Sequence, residues 1–468
     1  MISVAIMGHG TVGSGVAEIL TTHKQKLFKA VGEELYVKHI LDLREFPDSP
    51  LADRFTKNFE DIVNDIEVRV VVEVMGGTNP AYDFVKRCLQ AGKSVVTSNK
   101  ELVAKHGAEL LAVAKENNAN FLFEASVGGG IPIIRPLSQC LVANEVDEIA
   151  GILNGTTNFI FGKMINDNMD FSDALKLAQD LGYAERNPEA DIEGHDACRK
   201  ICILASLAFG KHIYPDNVYT KGISEITLDD VKYADSLNYV IKLIGDVKKT
   251  EDGKLDIMVA PMLLSKDCIL SDINDVFNGI LVKGDCTGDV MFYGKGAGKL
   301  PTASAVVADV VDCAKHLKAR KRIFWTDSDG SQVASYKDSK TAMYIRVAGK
   351  GEMAQSLFPD SEIMKADGNT VLMTQEYKFG EIEEKIAKLN ENGEKVLAAS
   401  RDQLEIAKVL VKDDEEKNRL IAAGNDYNFV TNVDEILNDD EIQIVVELMG
   451  RIEPARTFIT KALEAGKN

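Results

Sequence analysis

The stretch ISVAIMGHGTVGSGVAEIL (residues 2–20) decides the fold class of this 468-residue chain. A short apolar run passes directly into the glycine pattern GHGTVG, and apolar residues then recur at helical spacing. This order predicts a strand, a tight turn and a helix. The first glycine permits the turn, the second lets the backbone approach a pyrophosphate, and the third lets helix and strand pack closely. A glycine turn with a purely structural role is the alternative. The cofactor-binding residues predicted in this loop are Gly8, Gly10, Thr11, Val12 and Gly13.

Alternating strand and helix patterns continue through residue 131. The run VRVVVEVMGG (68–77) is apolar over most of its length, as a strand buried on both faces requires. Ligands bind beyond the carboxyl ends of parallel strands, so glycine and polar residues at the ends of these strands are candidate cofactor contacts. They are Gly77, Thr78, Thr97 and Lys100. We therefore expect a Rossmann-type, doubly wound parallel α/β sheet over residues 1–131.

The end of the second strand, LYVKHIL, bears on the choice of cofactor. Asp42 follows it, and an acidic residue there can bind ribose hydroxyls and repel a 2′-phosphate. Arg44 lies two residues later and could do the opposite. Asp42 therefore favours NAD over NADP while both stay open, and a plain turn residue is the remaining alternative.

Composition limits the classes of partner. The formal net charge is -19 at pH 7, which argues against nucleic acid and anionic membrane surfaces and favours a small-molecule substrate. Seven scattered cysteines without a CxxC pair indicate reduced thiols. No stretch approaches the roughly eighteen consecutive apolar residues of a membrane span. We expect a cytoplasmic protein.

Beyond residue 131, longer connections replace the regular alternation and predict a mixed α/β second domain over residues 132–300. Within it, ILNGTTNFI (152–160) interrupts an apolar strand with polar residues. Because Asn-Gly is a favoured hairpin dipeptide, this stretch taken alone favours a simple turn.

The segment HDACRKICILASLAFG (195–210) predicts a helix in which Asp196 and Lys200 share one face. A surface ion pair is the plain interpretation. However, the second half of the helix is apolar and acidic residues crowd its approach, which favours a desolvated cluster that binds an ammonium group and carries a proton donor. The members of this cluster are Glu185, Asp191, Glu193, Asp196 and Lys200.

A second glycine-rich loop occurs in GKGAGKLPTASAVVADV (294–310). Gly296 and Gly298 would let the backbone approach a ligand, and Thr302 is the predicted N-cap of the apolar helix that follows. We expect this helix, over residues 301–320, to return to the dinucleotide-binding domain. A helix start without any ligand role is the alternative.

Taken in order, GHGTVG, SNK, EASVGGGIP, GILNGTTNFI, GYAERNPEADIEGHDACRK and GKGAGKLPTASAVVADV make residues 1–320 resemble the homoserine dehydrogenase family. The resemblance implies an NAD- or NADP-dependent oxidoreductase that interconverts L-homoserine and L-aspartate 4-semialdehyde, in threonine, methionine and isoleucine biosynthesis. It also implies a homodimer or higher homo-oligomer that pairs through the second domain.

The same resemblance assigns roles to residues. Lys200 is the proton donor, and Lys100 stabilises charge between cofactor and substrate. The acids receive the substrate amino group or orient Lys200, and ILNGTTNFI moves from a simple turn to the substrate cleft. The substrate-binding residues implied are Glu185, Asp191, Asp196, Asn154, Gly155, Thr156 and Gly182, with Lys200, Lys100 and Asp196 as the catalytic set.

The turn EASVGGGIP resembles the monovalent cation site of the family, which implies bound sodium or potassium. Oxygen ligands from carbonyls and a carboxylate suit such a hard cation. A glycine-rich hinge between domains would explain the same residues without an ion. The ligands implied are Glu124, Val127, Gly129 and Ile131.

The chain continues past the family pattern. Residues 330–400 resemble a degenerate ACT regulatory module with a strand-helix-strand pattern, but GKGEMAQS is a poor ligand turn, so threonine feedback is in doubt. Residues 435–468 match 61–94 without a gap, so 402–468 resembles a partial repeat of the dinucleotide-binding domain. Together these predict a small α+β C-terminal region and a nonfunctional partial duplication.

Two other functions compete with this interpretation. A dinucleotide-binding sensor without catalysis would have no need of Lys100 and Lys200, whose presence argues against it. A dehydrogenase acting on a related amino acid or aldehyde is the nearer rival, and the NGTTN and acidic-lysine motifs argue against it.

Overall fold

The structure is a computed structural model that describes residues 1–321, 323–348, 350–366, 369–397, 408–411, 413–422, 428–438 and 459–462. The chain divides into two compact units, Met1–Ile382 and Glu383–Asn468. Within the described residues, no helix is both long enough and apolar enough to span a membrane.

The first sheet is parallel throughout and has the strand order β3-β2-β1-β4-β5-β6, the order of a Rossmann fold. Its strands are β1 (Ile2–Met7), β2 (Leu35–Leu41), β3 (Phe55–Thr56), β4 (Val68–Glu73), β5 (Ser94–Thr97) and β6 (Phe121–Leu122). Its helices are α1 (Thr11–Thr22), α2 (Lys24–Val31), α3 (Glu60–Val63), α4 (Ala81–Gln90) and α5 (Lys100–Glu116). The central strands are buried because helices cover both faces, which explains their continuous apolar sequence. The predicted fold class is confirmed.

The second sheet has the order β12-β11-β7-β9-β10-β8 and is antiparallel except where β8 joins β10. Its strands are β7 (Val146–Ile152), β8 (Tyr219–Thr220), β9 (Tyr239–Lys249), β10 (Leu255–Ser265), β11 (Phe277–Gly284) and β12 (Gly288–Lys295). The helices of this region are α6 (Gly155–Asn166), α7 (Phe171–Asp180), α8 (Glu189–Ile192), α9 (His195–Phe209), α10 (Leu228–Ser236) and α11 (Lys299–Lys315).

Helix α11 packs on α1 of the first sheet. Lys299 bonds Glu18 at 2.7 Å, and a Cβ on Gly15 would lie 2.9 Å from the Ala303 side chain, so a glycine is needed at this crossing. The helix begins at Lys299 with Gly298 as N-cap, and Thr302 is buried inside it. The predicted N-cap role of Thr302 is therefore wrong, because the left-handed Gly298 starts the helix a full turn earlier.

The region that the sequence predicts to be ACT-like contains a three-stranded antiparallel sheet in the order β14-β16-β15. Its elements are β13 (Lys340–Thr341), β14 (Tyr344–Ala348), α12 (Gly351–Leu357), β15 (Glu362–Ala366), β16 (Asn369–Met373), β17 (Tyr377–Lys378) and α13 (Phe379–Leu397). The prediction missed α12 and β15. The stretch interpreted as a poor ligand turn forms α12, and Gly351 lets it approach Thr370, whose hydroxyl a Cβ would meet at 2.2 Å.

In the second unit, the described elements are β18 (Val409–Leu410), α14 (Asp414–Ala422), β19 (Phe429–Val430) and α15 (Asp434–Leu437). Strand β18 pairs in parallel with β19, and α15 follows, as β2 pairs with β3 and α3 follows. In both places an asparagine one residue before the N-cap accepts the first helical N–H, since Asn58 accepts that of Glu60 at 3.1 Å and Asn432 that of Asp434 at 3.0 Å. Most of the sequence repeat lies outside the described residues.

Candidate functional site

The glycine loop lies between β1 and α1. Gly8 has φ +99°, which favours glycine, and a Cβ on Gly13 would lie 2.0 Å from the Gly8 carbonyl oxygen. Both glycines are therefore required by the backbone path. Helix α1 begins at Thr11 with Gly10 as N-cap, so its first N–H groups face the turn where a pyrophosphate would bind.

Asp42 lies at the adjacent strand end, where a ribose would bind. Its carboxylate accepts the His9 N–H at 2.8 Å and pairs with Arg44 through Nε and Nη2 at 2.9 and 2.8 Å. The Arg44 guanidinium holds the pKa of Asp42 below its usual range. The His9 ring packs edge-on against Phe46 and Phe55, beside a cavity of about 260 Å³. These features fit the adenosine half of a dinucleotide.

The ends of β4 and β5 are joined by side-chain hydrogen bonds. Thr97 is fully buried and its hydroxyl donates to Glu73 at 2.6 Å. Its side chain therefore joins the ends of β4 and β5 and does not face the cleft. Asn99 donates to the Gly77 carbonyl at 2.6 Å and caps α5 through the Leu102 N–H at 3.0 Å. Asn99 thereby fixes the position of Lys100, the first residue of that helix.

The sequence interpretation missed this role of Asn99, although an Asn directly before a helical pattern is a recognisable N-cap signal. At the other strand end, Gly77 adopts φ +68°, and the Thr78 carbonyl accepts the Tyr82 N–H at 2.8 Å. The strand-end residues therefore form one connected edge next to the glycine loop.

A cluster of two lysines and two aspartates stands at this edge. Lys200 Nζ donates to Asp196 Oδ2 at 2.6 Å and to the Leu153 carbonyl at 2.7 Å. Lys100 forms an ion pair with the other oxygen of Asp196. Asn154 donates to Asp191 at 2.7 Å and to Asp196 at 2.8 Å. The predicted pair on α9 is thus a buried cluster and not a surface ion pair.

The two lysines experience different electrostatic environments. Burial is the largest influence on Lys200 and, with the Lys100 charge, lowers its pKa despite the Asp196 carboxylate. Burial also opposes the charge of Lys100, but Asp196 outweighs it and raises the Lys100 pKa. Burial raises the pKa of Asp191, with help from the Asp196 charge. Asp196, although fully buried, keeps a lowered pKa because both ammonium groups face it.

The stretch ILNGTTNFI forms a strand end and a helix start instead of a hairpin. Asn154 caps α6 by accepting the Thr157 N–H at 2.9 Å. Gly155 packs against the backbone directly before β11, since a Cβ on Gly155 would lie 2.7 Å from the Val276 carbonyl oxygen. Thr156 donates to the Tyr183 carbonyl at 2.8 Å. The polar residues therefore interrupt the strand because one of them must cap a buried helix beside the lysine cluster.

Two predicted substrate residues lie apart from this arrangement. Glu185 is exposed, and it is its backbone carbonyl that accepts from Gln179 at 3.0 Å. Gly182 is exposed with φ +74° and turns the chain after α7. In the part of the chain that the structure describes, no hydrogen bond or ion pair joins Glu185 or Gly182 to Lys100 or Lys200. Their predicted substrate roles stay predictions.

The carboxylate of Glu124 organises the loop EASVGGGIP. Both Glu124 oxygens accept backbone N–H groups, from Ile133 at 2.7 Å, Ile134 at 2.8 Å and Arg135 at 2.9 Å. Gly129 has φ +54°, and a Cβ on it would lie 2.3 Å from the Gly296 carbonyl oxygen. The two glycine-rich loops are therefore in direct contact. Among the described residues, no group of three or more His, Cys, Asp or Glu side chains could hold a metal ion.

Comparisons with known proteins identify relatives over both sheet regions. The family model "Homoserine dehydrogenase" matches residues 132–311, and "Homoserine dehydrogenase, NAD binding domain" matches residues 8–124. The homoserine dehydrogenase of Bacillus subtilis is 43% identical over 320 residues, covering 68% of this chain and 74% of the relative. That of Pseudomonas aeruginosa is 42% identical over 365 residues, covering 76% and 84%.

Solved structures give the same result. The homoserine dehydrogenase of Thiobacillus denitrificans superposes with a TM-score of 0.77 at 36% identity, covering 83% of this chain and 95% of that one. A hyperthermophilic archaeal homoserine dehydrogenase in complex with NADPH has a TM-score of 0.57 at 30% identity, covering 67% and 97%.

Proposed function

This chain belongs to the homoserine dehydrogenase family, and we propose that Lys200 and Lys100 carry its chemistry around one carboxylate, that of Asp196. The enzyme interconverts L-homoserine and L-aspartate 4-semialdehyde with NAD or NADP. The observation that supports the residue roles is that both ammonium groups bind the same buried carboxylate.

Lys200 is the proton donor to the aldehyde oxygen and the base for the homoserine hydroxyl. The bound nicotinamide supplies or accepts the hydride. An oxygen that gains negative charge needs a nearby proton, and an amine whose pKa is lowered gives and takes that proton more readily near neutral pH. The Leu153 carbonyl and Asp196 hold the Lys200 Nζ in place.

Lys100 has the complementary task. Its raised pKa keeps it an ammonium group, so it stabilises developing charge without exchanging its own proton. Its position at the N-terminus of α5, directly after β5, puts it at the cofactor edge of the sheet. Asp196 keeps the two cations together and orients both.

The substrate amino group binds to acids beside this pair. Asp191 is held by Asn154, and Thr156 lies 3.4 Å from its second oxygen, so this carboxylate has a fixed direction. A substrate ammonium would lower the pKa of Asp191, because an opposite charge offsets the burial that raises it. Glu185 and Gly182 join from the loop after α7 when the substrate is bound.

The Asp42–Arg44 pair lets the enzyme use either cofactor. With NAD, Asp42 accepts the ribose hydroxyls while Arg44 stays paired. With NADP, Arg44 leaves Asp42 for the 2′-phosphate, which its exposed side chain (62%) allows. Gly296 and Gly298 lie in the loop before α11, whose first residue, Lys299, bonds Glu18 of α1 at 2.7 Å, which supports a place for this second glycine loop beside the cofactor.

Glu124 and the carbonyl oxygens of Val127, Gly129 and Ile131 would hold a sodium or potassium ion, whose hard charge suits oxygen ligands. The left-handed Gly129 and its close approach to Gly296 support a tightly curled loop of this kind. The Glu124 carboxylate accepts the backbone N–H groups of Ile133 and Arg135, so it holds the loop in shape and would supply the negative charge beside the ion.

The enzyme acts as a homodimer or higher oligomer in the cytoplasm. The second face of the β7–β12 sheet carries a separate apolar cluster with partly buried Met262, Leu264 and Met291, which a second copy would cover. All seven cysteines are free, in keeping with a reducing compartment. Light scattering tests the assembly, and a monomer at micromolar concentration would contradict it.

The deciding experiment follows the absorbance of reduced cofactor on addition of L-aspartate 4-semialdehyde. NADH and NADPH are compared in parallel, with and without added sodium or potassium. Semialdehyde-dependent oxidation of both cofactors supports the proposal. A folded protein that oxidises neither cofactor contradicts it, and oxidation of one alone contradicts the dual role of the Asp42–Arg44 pair.

A further inference from the structure

A buried histidine joins the two helices that carry the catalytic lysines. His212 follows the C-terminal end of α9, the helix of Lys200, and is 1% exposed. Its Nε2 lies 2.9 Å from the carbonyl oxygen of Ala104 on α5, the helix that begins with Lys100. Its Nδ1 lies 2.9 Å from the indole Nε1 of Trp325.

The two partners fix the state of the ring. A carbonyl oxygen only accepts and an indole N–H only donates, so Nε2 must carry the proton and Nδ1 must be bare. A protonated His212 would present a second N–H to the N–H of Trp325. The geometry therefore accepts the neutral ring alone.

Trp325 is itself fitted to α5. The indole is 1% exposed and packs edge-on against Phe123, with ring centroids 5.4 Å apart. Gly107 lies one turn after Ala104, and a Cβ there would meet the indole at 2.6 Å. A glycine is therefore needed in the middle of α5 for the indole to reach the histidine.

We infer that His212 and Trp325 are positioning residues, which set the place of α5, and with it Lys100, relative to Lys200 on α9. The two hydrogen bonds of His212, to Ala104 and to Trp325, are called the brace here. The brace joins the dinucleotide-binding region to the second region, as the Lys100–Asp196 ion pair does in the cleft. The inference rests on the roles proposed for the two lysines. It also predicts a loss of turnover at low pH that the lysines themselves do not cause.

The groups around His212 determine the direction in which its pKa shifts. Burial lowers the pKa of His212 below its ordinary value of 6.5. The Ala104 carbonyl and Asp327 favour the charged ring, His106 opposes it, and the Tyr214 ring packs edge-on at 4.3 Å. In the direction of semialdehyde reduction Lys200 is already protonated at low pH, so an acid loss of rate that disappears in His212→Gln reports His212 and not Lys200.

The test uses the full-length enzyme and its single tryptophan. Because a protonated imidazole quenches indole emission, Trp325 fluorescence reports the titration of His212. We expect its midpoint to coincide with the acid loss of kcat. In His212→Gln the amide can donate to Ala104 and accept from Trp325, so kcat is retained and both acid transitions vanish.

His212→Leu and Trp325→Phe each break the brace. Each should lower kcat about fivefold or more at pH 7.5, the effect of one misplaced hydrogen-bonded contact, with the affinity for reduced cofactor unchanged. Tyr214→Phe is the matched control, since it removes only the neighbouring bond to Asp327. If His212→Leu does not fold, Trp325→Phe, which keeps an aromatic ring, decides alone.

A folded Trp325→Phe with wild-type kcat and pH profile would overturn the inference, as would a fluorescence midpoint unrelated to the acid loss of kcat. If wild-type enzyme shows no semialdehyde-dependent turnover, the proposed function fails instead.

Discussion

Replacement of Asp196 by Asn tests how the cluster sets the protonation of Lys200. The variant keeps the size of the side chain but removes the negative charge that Lys200 contacts at 2.6 Å. In homoserine oxidation the neutral amine is the base, so activity rises as the pH passes the Lys200 pKa. Without the carboxylate the ammonium form loses its partner, and the Lys100 charge adds to the effect. The pKa of Lys200 must therefore fall further.

The size of this shift follows from the contact. A hydrogen bond to a charged group contributes about 1.5–3 kcal/mol, and about 1.4 kcal/mol corresponds to one pH unit, so the midpoint should move about 1–2 units to lower pH. The assay is kcat/KM for homoserine oxidation, followed by absorbance of the reduced cofactor across the neutral and alkaline range. This ratio reports the free enzyme.

Asp173→Asn is the control, because it removes the same charge from an exposed position on α7. Its midpoint should match that of the wild type, since solvent and salt screen an exposed charge. A midpoint in Asp196→Asn that stays in place or moves to higher pH would refute the assigned roles of Asp196 and Lys200.

Four further results are expected. Lys200→Ala should lower kcat about 10²- to 10⁴-fold in both directions while cofactor affinity by fluorescence is kept, and near-wild-type turnover would contradict its role. Gly13→Ala should abolish cofactor binding in calorimetry, because its Cβ would lie 2.0 Å from a backbone oxygen of the loop; retained binding would count against the loop assignment. Arg44→Ala should raise the KM for NADPH and leave that for NADH unchanged, whereas equal changes would argue against a phosphate contact. Removal of residues 398–468 should leave kcat unchanged, and loss of turnover would show that the partial repeat has a role.

The sequence predicted the parts of the fold that depend on local pattern. The Rossmann sheet could be recognised because buried parallel strands are apolar throughout and the glycine spacing has a backbone cause. The pairing of Asp196 with Lys200 followed from helical spacing. The start of α11 at Lys299 was not predicted, since the pattern favoured Thr302 as the N-cap whereas the positive φ of Gly298 starts the helix there.

Contacts between distant segments could not be predicted from the pattern. The bond from Asn99 to Gly77 and that from His212 to Ala104 join residues 22 and 108 positions apart. Burial likewise decides which of two similar lysines has the lowered pKa, and burial depends on the assembled fold. The exposure of Glu185 could not be predicted either, because the family resemblance implied the role of this residue but not its conformation.

The most direct measurement is a crystal structure with cofactor and L-homoserine bound. The account predicts the Lys200 Nζ at about 2.6–3.2 Å from the homoserine hydroxyl oxygen, with the carbon that bears it facing the nicotinamide ring and Lys100 still paired with Asp196. A hydroxyl held by other groups, with Lys200 bonded only to Asp196 and Leu153, would contradict it.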